Sequence, residues 1–354
     1  MESTGVYWKP VMRVLEADIP NVWIVNTRHI KNVPGHKTDK MDSEWICKLL
    51  LAGLLKPSYI PPKEQRQLRD LTSYRNKLIQ TMETEKNRMM RVLEDCNIKL
   101  SSVVANTSGV TTTALIVMLC EGRKLTMADI ESVYHKKLSA SPQGLLEACT
   151  GFVEEHHVYM LQMIRKSIAQ TQDLVDELSK RIKDMLIKYD NVLELLKEIP
   201  DFNTKIVEDL VSEIGLDMSA FPSEKHLASW AGICPGNNES AGKKSGRITH
   251  GNKQVKAVLT EAAWAATRTK NTFFSERYHR ISARRGKKRA LIAVAHSQLT
   301  AAYLILRTGA RYHELGAQYM QAKIEKKRKV YLTAELKRLG YKVSLEKEMK
   351  ATKS

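Results

Sequence analysis

The chain has 354 residues, 43% of them hydrophobic and 27% charged, enough for two or three soluble globular units whose cores need no disulfides. Its formal charge of +18 is segregated: residues 241–354 hold 27 Lys+Arg against 7 Asp+Glu, a net of +20, whereas residues 1–240 hold 30 against 32, a net of −2. A segregated positive field attracts a polyanion, so nucleic acid is the expected partner and an anionic membrane surface the alternative, favoured by neither a lipid anchor nor a membrane segment.

Five cysteines (Cys47, Cys96, Cys120, Cys149, Cys234) are widely spaced without a CxxC pair. They read as reduced thiols of a cytoplasmic protein, which excludes a disulfide frame and a cysteine zinc site. The longest uncharged stretch, Ser101 to Cys120, is diluted by Ser, Thr and Asn, and no span is expected there. The start at Met1-Glu2 has neither a basic segment nor an apolar h-region, so a signal peptide is not expected either.

In chain order, residues 1–62 read as mixed α/β. VYWKPVMRVLEA (6–17) has helical spacing, NVWIVN (21–26) is a short apolar strand, and DKMDSEWICKLLLAGLL (39–55) is a helix closed by Pro57, Pro61 and Pro62. A lone parallel strand leaves bare backbone groups, so something that should pair with it is expected to be missing from this chain. Residues 63–154 form a helical connector: a long polar helix to Asn97 with Leu68, Leu71, Leu78, Met82, Met89 and Val92 on one side, then short helices in Ser/Thr/Gly-rich connections. In 155–197 the apolar positions Leu161, Ile164, Ile168, Val175, Leu178, Ile182, Met185, Tyr189, Val192 and Leu196 alternate by three and four, interrupted by Thr171. That is a coiled-coil seam, open to dimerisation or to an intramolecular hairpin with the 63–97 helix.

Residues 198–315 read as a compact helical domain. A short helix (221–232) leads into a long Gly/Asn/Ser/Lys-rich loop (233–252), an Ala-rich helix (253–268), and a helix (283–307) that begins basic and turns apolar. Residues 316–354 form a charged basic tail. The fold class is therefore mainly α, with an α/β segment at the N-terminus.

Three groups of residues could carry chemistry. Asp39 and Asp42, three apart at a helix start, share a face that continues through Ile46, Leu49, Leu50 and Gly53. Two inward acids suit a hard cation such as Mg²⁺; partly exposed, they would simply favour the helix dipole. Ser240 sits among Asn237, Asn238 and Gly242, ahead of Lys243, Lys244 and Arg247. Cations and backbone amides beside a hydroxyl suit attack on a phosphodiester, although a serine in such a loop also serves as ordinary turn chemistry. Arg284, Arg285, Lys287, Lys288 and Arg289, together with Lys253, Lys256, Arg277 and Arg280, would make a stripe that meets several phosphates. Phe273, Phe274, Tyr278 and Trp264 are interleaved with it at helical spacing and are expected in the core.

Several of these segments, in order, resemble the DEDD-type insertion-sequence transposases, the bridge-RNA-guided serine recombinases. MESTGVYWKPVMRVLE is similar to their Glu-x-Thr-Gly-x-Tyr segment, HKTDKMDSEWICKLL (36–50) to their Lys-Thr-Asp-x-x-Asp helix, and AFPSEKHLASWAGICPGNNESAGKK (220–244) to their Phe-Pro-Ser to Ser-Gly segment. RITHGNKQVKAVLTEAAW and RISARRGKKRALIAVAHSQLTAAYLILRTGARY resemble the helices that follow. The resemblance implies that residues 1–62 belong to a RuvC-like, RNase H-type domain whose four-carboxylate metal site takes Glu2, Asp39 and Asp42. It implies that Ser240 is the nucleophile, forming a phosphoserine link to DNA. It also implies that metal site and serine cooperate between protomers of a homo-oligomer, and that a structured non-coding RNA selects the element ends and target DNA.

Glu2 by itself is unremarkable, and the family's first Asp, on a strand ahead of that Glu, has no counterpart here. The expectation is an incomplete RuvC-like segment with an open edge, and a chain that is either a transposase weak in cleavage or a nucleic-acid-binding relic able to oligomerise with a full-length relative. IPDFN (199–203), where the family has a Gly-containing turn, and Ala241, where a Gly usually follows the serine, are smaller departures.

Overall fold

The computed structural model describes residues 1–2, 5, 7–19, 21–26, 39–136, 138–235, 239–240, 243–244, 248 and 250–344, without the side chains of 39–42, 239–240, 243–244, 320–324 and 326. Fifteen α-helices and one two-stranded sheet are found among these residues.

The N-terminal segment holds α1 (Trp8–Asp18) and α2 (Asp39–Leu51). The expected strand at 21–26 is reduced to single bridges. Val25 pairs in parallel with Glu2 and antiparallel with Pro57, its N–H donating to the Met1 carbonyl at 2.8 Å. Ile24 and Val25 are buried, and Val25 packs with Leu55, Trp45, Ile46 and Leu49 of the small cluster that α2 covers. A Schellman closure ends α2: Leu54 N–H donates to Leu49 O, Gly53 N–H to Leu50 O, and Gly53 takes φ +68°. Leu50 and Gly53 are exposed, so the inward face expected to run through them stops at Leu49. No described residue of α1 is buried; it lies on the next helix through the ion pairs Arg66–Glu16 (2.9 Å) and Lys9–Asp70 (3.2 Å).

That next helix, α3 (Lys63–Asp95), runs antiparallel to α8 (Glu155–Leu186), with short helices α4 (Leu100–Val103), α5 (Val110–Cys120), α6 (Met127–Val133) and α7 (Pro142–Ala148) between them in sequence. Direction follows from the pairings. Lys188 reaches Glu64 at 3.0 Å near one end, and His157 reaches Asp95 at 3.3 Å at the other. Of the two possibilities left open by the heptad spacing, the fold takes the intramolecular hairpin. Leu161, Ile164, Thr171, Val175, Ile182 and Leu186 of α8 are buried, opposite Leu68, Met82, Met89 and Leu93 of α3. Thr171, the polar interruption, returns its hydroxyl to Ser167 O at 2.7 Å and so is itself satisfied in the seam. Helical geometry breaks after Leu186 in a 3₁₀ turn (Ile187–Tyr189), so the regular seam stops short of Leu196. At the arm's tip Met89, Leu93, Ile98, Leu115, Ile130, Leu145 and Leu161 close a separate core.

The main core lies at the arm's base and continues through the C-terminal helices: α9 (Asp190–Lys197), α10 (Thr204–Ile214), α11 (Glu224–Trp230), α12 (Lys253–Ala266), α13 (Phe273–Arg285) and α14 (Lys287–Thr308). Alanines set the spacing of α12 and α14. Ala262, Ala263 and Ala266 meet a helix whose Ala290, Ala295 and Ala302 are equally buried, which lets the two axes approach closely. α14 is long and apolar enough to cross a membrane, yet Val294, Ala295, Leu299, Ala302 and Tyr303 face this core. α15 (Gly316–Arg338) is charged and mostly exposed, and touches the core through Tyr319 on Phe273.

Candidate nucleic-acid interface and serine hairpin

The segment expected as a long loop contains a β-hairpin. β1 (Glu239–Ser240) pairs antiparallel with β2 (Lys243–Lys244), placing Ser240 opposite Lys243 and Glu239 opposite Lys244. The stem continues to a bridge between Pro235 and Ile248. Its root is a close backbone contact. A Cβ at Gly251 would lie 2.2 Å from Gly232 N and 2.5 Å from Ala231 C, so only glycine fits. Asn252 then fastens the returning strand three ways. Its N–H donates to Trp230 O at 3.1 Å, its Oδ1 caps α12 by accepting from Gln254 N–H (2.8 Å) and Val255 N–H (3.1 Å), and its Nδ2 donates to Glu213 Oε2 at 2.6 Å.

Glu213 belongs to a helix buried on every side. Nine consecutive residues of α10, Ile206 to Ile214, are buried, because its apolar face meets the main core and its polar face meets α3. Arg75, 3% exposed, donates to Glu208 and to Asp209 Oδ1 (2.9 Å). Asn76 and Lys205 each reach Asp209 Oδ2 at 3.0 Å, and Thr72 bonds Ser212 through their hydroxyls at 3.0 Å. The last carbonyls of α10, which have no partner within the helix, are taken by α3. Arg69 Nε donates to Ser212 O (3.0 Å), Gln65 Nε2 to Ser212 O and Glu213 O (3.1 and 3.2 Å), and a second Arg69 nitrogen to Glu213 O. Burial lowers the Arg69 pKa, opposed by the Glu213 carboxylate 3.4 Å away. Sequence reading missed this hub; the only signal was the i, i+1, i+4, i+5 spacing of Glu208, Asp209, Ser212 and Glu213.

The basic stripe divides in two. Gly286, at φ +84°, turns α13 into α14, and this elbow exposes Arg284, Arg285, Lys287, Lys288 and Arg289. None of the five has an ion pair among the described residues. Three of them begin α14, which has no acid in its first turn and no side-chain cap. Cations at the positive end of a 22-residue helix repel its dipole, so the elbow is a site of uncompensated positive potential. Lys253 is exposed and Lys256 half-buried at the start of α12.

Arg277 and Arg280 are half-buried instead. Arg277 Nε donates to Ala293 O at 3.3 Å and its guanidinium lies 5.9 Å from the Phe273 ring centre, while Arg280 Nε is buried without a partner among the described residues. Burial and then the Arg280 charge lower the Arg277 pKa. His296 on α14 is lowered by burial first and by Arg277 second, with Glu224 opposing. Of the four interleaved aromatics, Phe274 and Tyr278 are buried and Phe273 packs on the core. Trp264 departs from the expectation: it is 46% exposed, with the Arg268 guanidinium 5.9 Å from its ring centre.

For the carboxylates, the structure puts Glu2 beside Val25 and begins α2 at Asp39, with Asp42 one turn in. The Asp39, Asp42 and Ser240 side chains, and Arg247, lie outside the described residues, as do the side chains of Lys243 and Lys244. Among the described residues no three His, Cys, Asp or Glu cluster to hold a metal.

Residues 1–98 match a family model described as a transposase, of the DEDD type of IS110 elements, and residues 193–279 match one described as "Transposase IS116/IS110/IS902 family". Two curated relatives are similar, each a pilin gene-inverting protein, from Moraxella bovis and from Moraxella lacunata. Each is 26% identical over 188 residues, which is 52% of this chain. The match spans 57% of the length of either relative.

Proposed function

Since the chain belongs to the IS110 family of insertion-sequence transposases, we propose that it acts on DNA by phosphoester exchange, with Ser240 as the nucleophile. The Ser240 Oγ attacks a phosphorus, an Oγ–P bond forms, and the P–O bond to one deoxyribose breaks, its oxygen leaving with a proton. A second DNA hydroxyl then attacks the phosphoserine, and the serine regains its proton. Net bond count is unchanged, so no energy source is needed.

The observation that carries this reading is the pairing of Ser240 with Lys243 on a rooted hairpin, in a unit whose α13–α14 elbow holds five cations that have no ion pair among the described residues. An elbow of this kind grips phosphates, and the Trp264–Arg268 pair offers a face on which an unpaired base stacks. The gene inversion named for the Moraxella relatives is a DNA rearrangement, which is consistent with action on DNA.

Glu2, Asp39 and Asp42 are proposed as the protein ligands of a divalent cation, Mg²⁺ by preference. All three offer hard oxygens, and α2 packs through Trp45, Ile46 and Leu49 on Val25, the residue bridged to Glu2. When bound, such a cation stabilises charge on the phosphoryl oxygens. We further propose action in the cytoplasm, on element ends and a target DNA chosen through a structured RNA, within a homo-oligomer that brings one protomer's carboxylates to another's serine.

The test is strand cleavage and joining on the element's own ends, with its RNA, in Mg²⁺ and in EDTA. Activity that disappears with EDTA and in Asp39→Asn and Asp42→Asn supports the reading. Metal-independent cleavage, or full activity in both variants, refutes the carboxylate site. Tight DNA binding without any strand breakage would favour a purely nucleic-acid-binding protein.

A further inference from the structure

Among the described residues, Asn252 ties the serine hairpin to the folded core, and one of its bonds leads away from the hairpin altogether. Asn252 Nδ2 donates to Glu213 Oε2 at 2.6 Å, and Arg69 Nε of α3 stands 3.4 Å from that same oxygen. The Glu213 carboxylate therefore meets both the strand returning from Ser240, through a hydrogen bond, and the first turns of the 33-residue arm helix, through an ion pair. Arg69 is held in turn by the α10 carbonyls of Ser212 and Glu213, and Gln65, one turn earlier, by the same carbonyls and by Tyr59 at 3.2 Å. The root adds the Asn252 N–H bond to Trp230 O at 3.1 Å and the close Gly251–Gly232 backbone contact.

We infer that Glu213 is a positioning residue for the Ser240 hairpin, and that Arg69–Glu213–Asn252 is a relay through which the attitude of the α3–α8 arm sets the attitude of that hairpin. The consequence for the proposed reaction, on whose serine assignment this inference rests, is that a nucleic acid or second protomer pulling on the arm shifts the nucleophile without touching it. A part-buried charge-assisted pair suits this task, because it is strong at one geometry and weakens steeply as the donor moves.

Asn252 has two jobs, and they can be separated. Asn252→Ser keeps an oxygen to cap α12 but loses the donor to Glu213, and Glu213→Gln keeps an acceptor for Asn252 while removing the charge that Arg69 faces. Hydrogen–deuterium exchange of the full chain, followed by mass spectrometry on peptides covering 233–252, reads the hairpin directly. Expected is at least about tenfold faster exchange in those peptides for Asn252→Ser, the loss of one charge-assisted hydrogen bond, with α12 and arm-tip peptides unchanged. Glu213→Gln should show a smaller increase there and Arg69→Met a comparable one, although Arg69 lies on a different element. Unchanged hairpin exchange in both Asn252→Ser and Arg69→Met, or acceleration spread evenly over α10 to α14, overturns the relay. Covalent capture of DNA by each variant is scored separately. Loosened hairpins with no capture even by the unaltered chain would leave the relay standing and remove the serine assignment; normal hairpin exchange with reduced capture would do the reverse.

Discussion

Arg75→Met probes the joint between arm and C-terminal helices. Arg75 is 3% exposed, and its two carboxylate partners are buried with it, Asp209 at 2%. Asp209 keeps Asn76 and Lys205 when Arg75 is removed, but Glu208 has no other ion pair among the described residues. Truncating one member of a buried pair leaves an uncompensated charge and costs about 3–5 kcal/mol. For a cooperative unit of this size, that lowers Tm by roughly 6–20 °C. Thermal unfolding followed by circular dichroism at neutral pH measures it. The double variant Arg75→Met/Glu208→Leu should recover much of the loss, because an apolar pair of similar volume replaces a buried ion pair at little cost. A single variant that melts within about 2 °C of the parent, or a double variant less stable than the single, would refute the view that this ion pair is desolvated in the folded chain.

Three further outcomes are expected. Replacing Arg284, Arg285, Lys287, Lys288 and Arg289 by Ala should flatten the salt dependence of DNA affinity, by about 0.9 in the log–log slope for each phosphate no longer neutralised, while leaving Tm nearly unchanged; a titration with an unaltered slope would take the elbow out of the interface. Gly251→Ala forces a methyl to 2.2 Å from Gly232 N, so the hairpin root must shift. Faster exchange in the 233–252 peptides is expected, and a variant with parental exchange and Tm would contradict the close approach of the two backbones. His296, lowered from its ordinary 6.5 by burial and Arg277, favours the unfolded chain when protonated. Its share of stability is complete above pH 6.5 and declines as pH falls below that value, and His296→Gln should lose that dependence.

Much of the helical frame was legible because its signals are local. The three-and-four spacing from Leu161 gave the long arm helix, and the Ala-rich run KQVKAVLTEAAWAATR gave α12. The choice between hairpin and dimer was not legible, since both bury the same seam. Nor was the burial of α10. Glu208, Asp209, Ser212 and Glu213 form a polar stripe that would suit solvent equally well, and Arg69, Thr72, Arg75 and Asn76, more than 130 residues away, turn it inward. Ser240 read as lying in an irregular loop because a two-residue strand carries no periodicity to detect. Trp264 was expected inside on spacing, but α12 buries Ala262, Ala263 and Ala266, leaving Trp264 to the outer face. At the N-terminus the apolar run at 21–26 was found, yet it forms single bridges in place of a ladder, and α1 stays outside the core.

The most direct measurement is the identity of the residue that becomes joined to DNA. Incubating the chain with its element ends, RNA and Mg²⁺, stopping with denaturant and digesting with nuclease and trypsin should yield a nucleotide-bearing peptide spanning His226 to Lys243, with the added phosphate on Ser240, however small the yield. The same digest from Ser240→Ala should lack it. A nucleotide found on Ser229 of that peptide or on any other residue, or an adduct that persists in Ser240→Ala, would contradict the serine chemistry proposed for this hairpin.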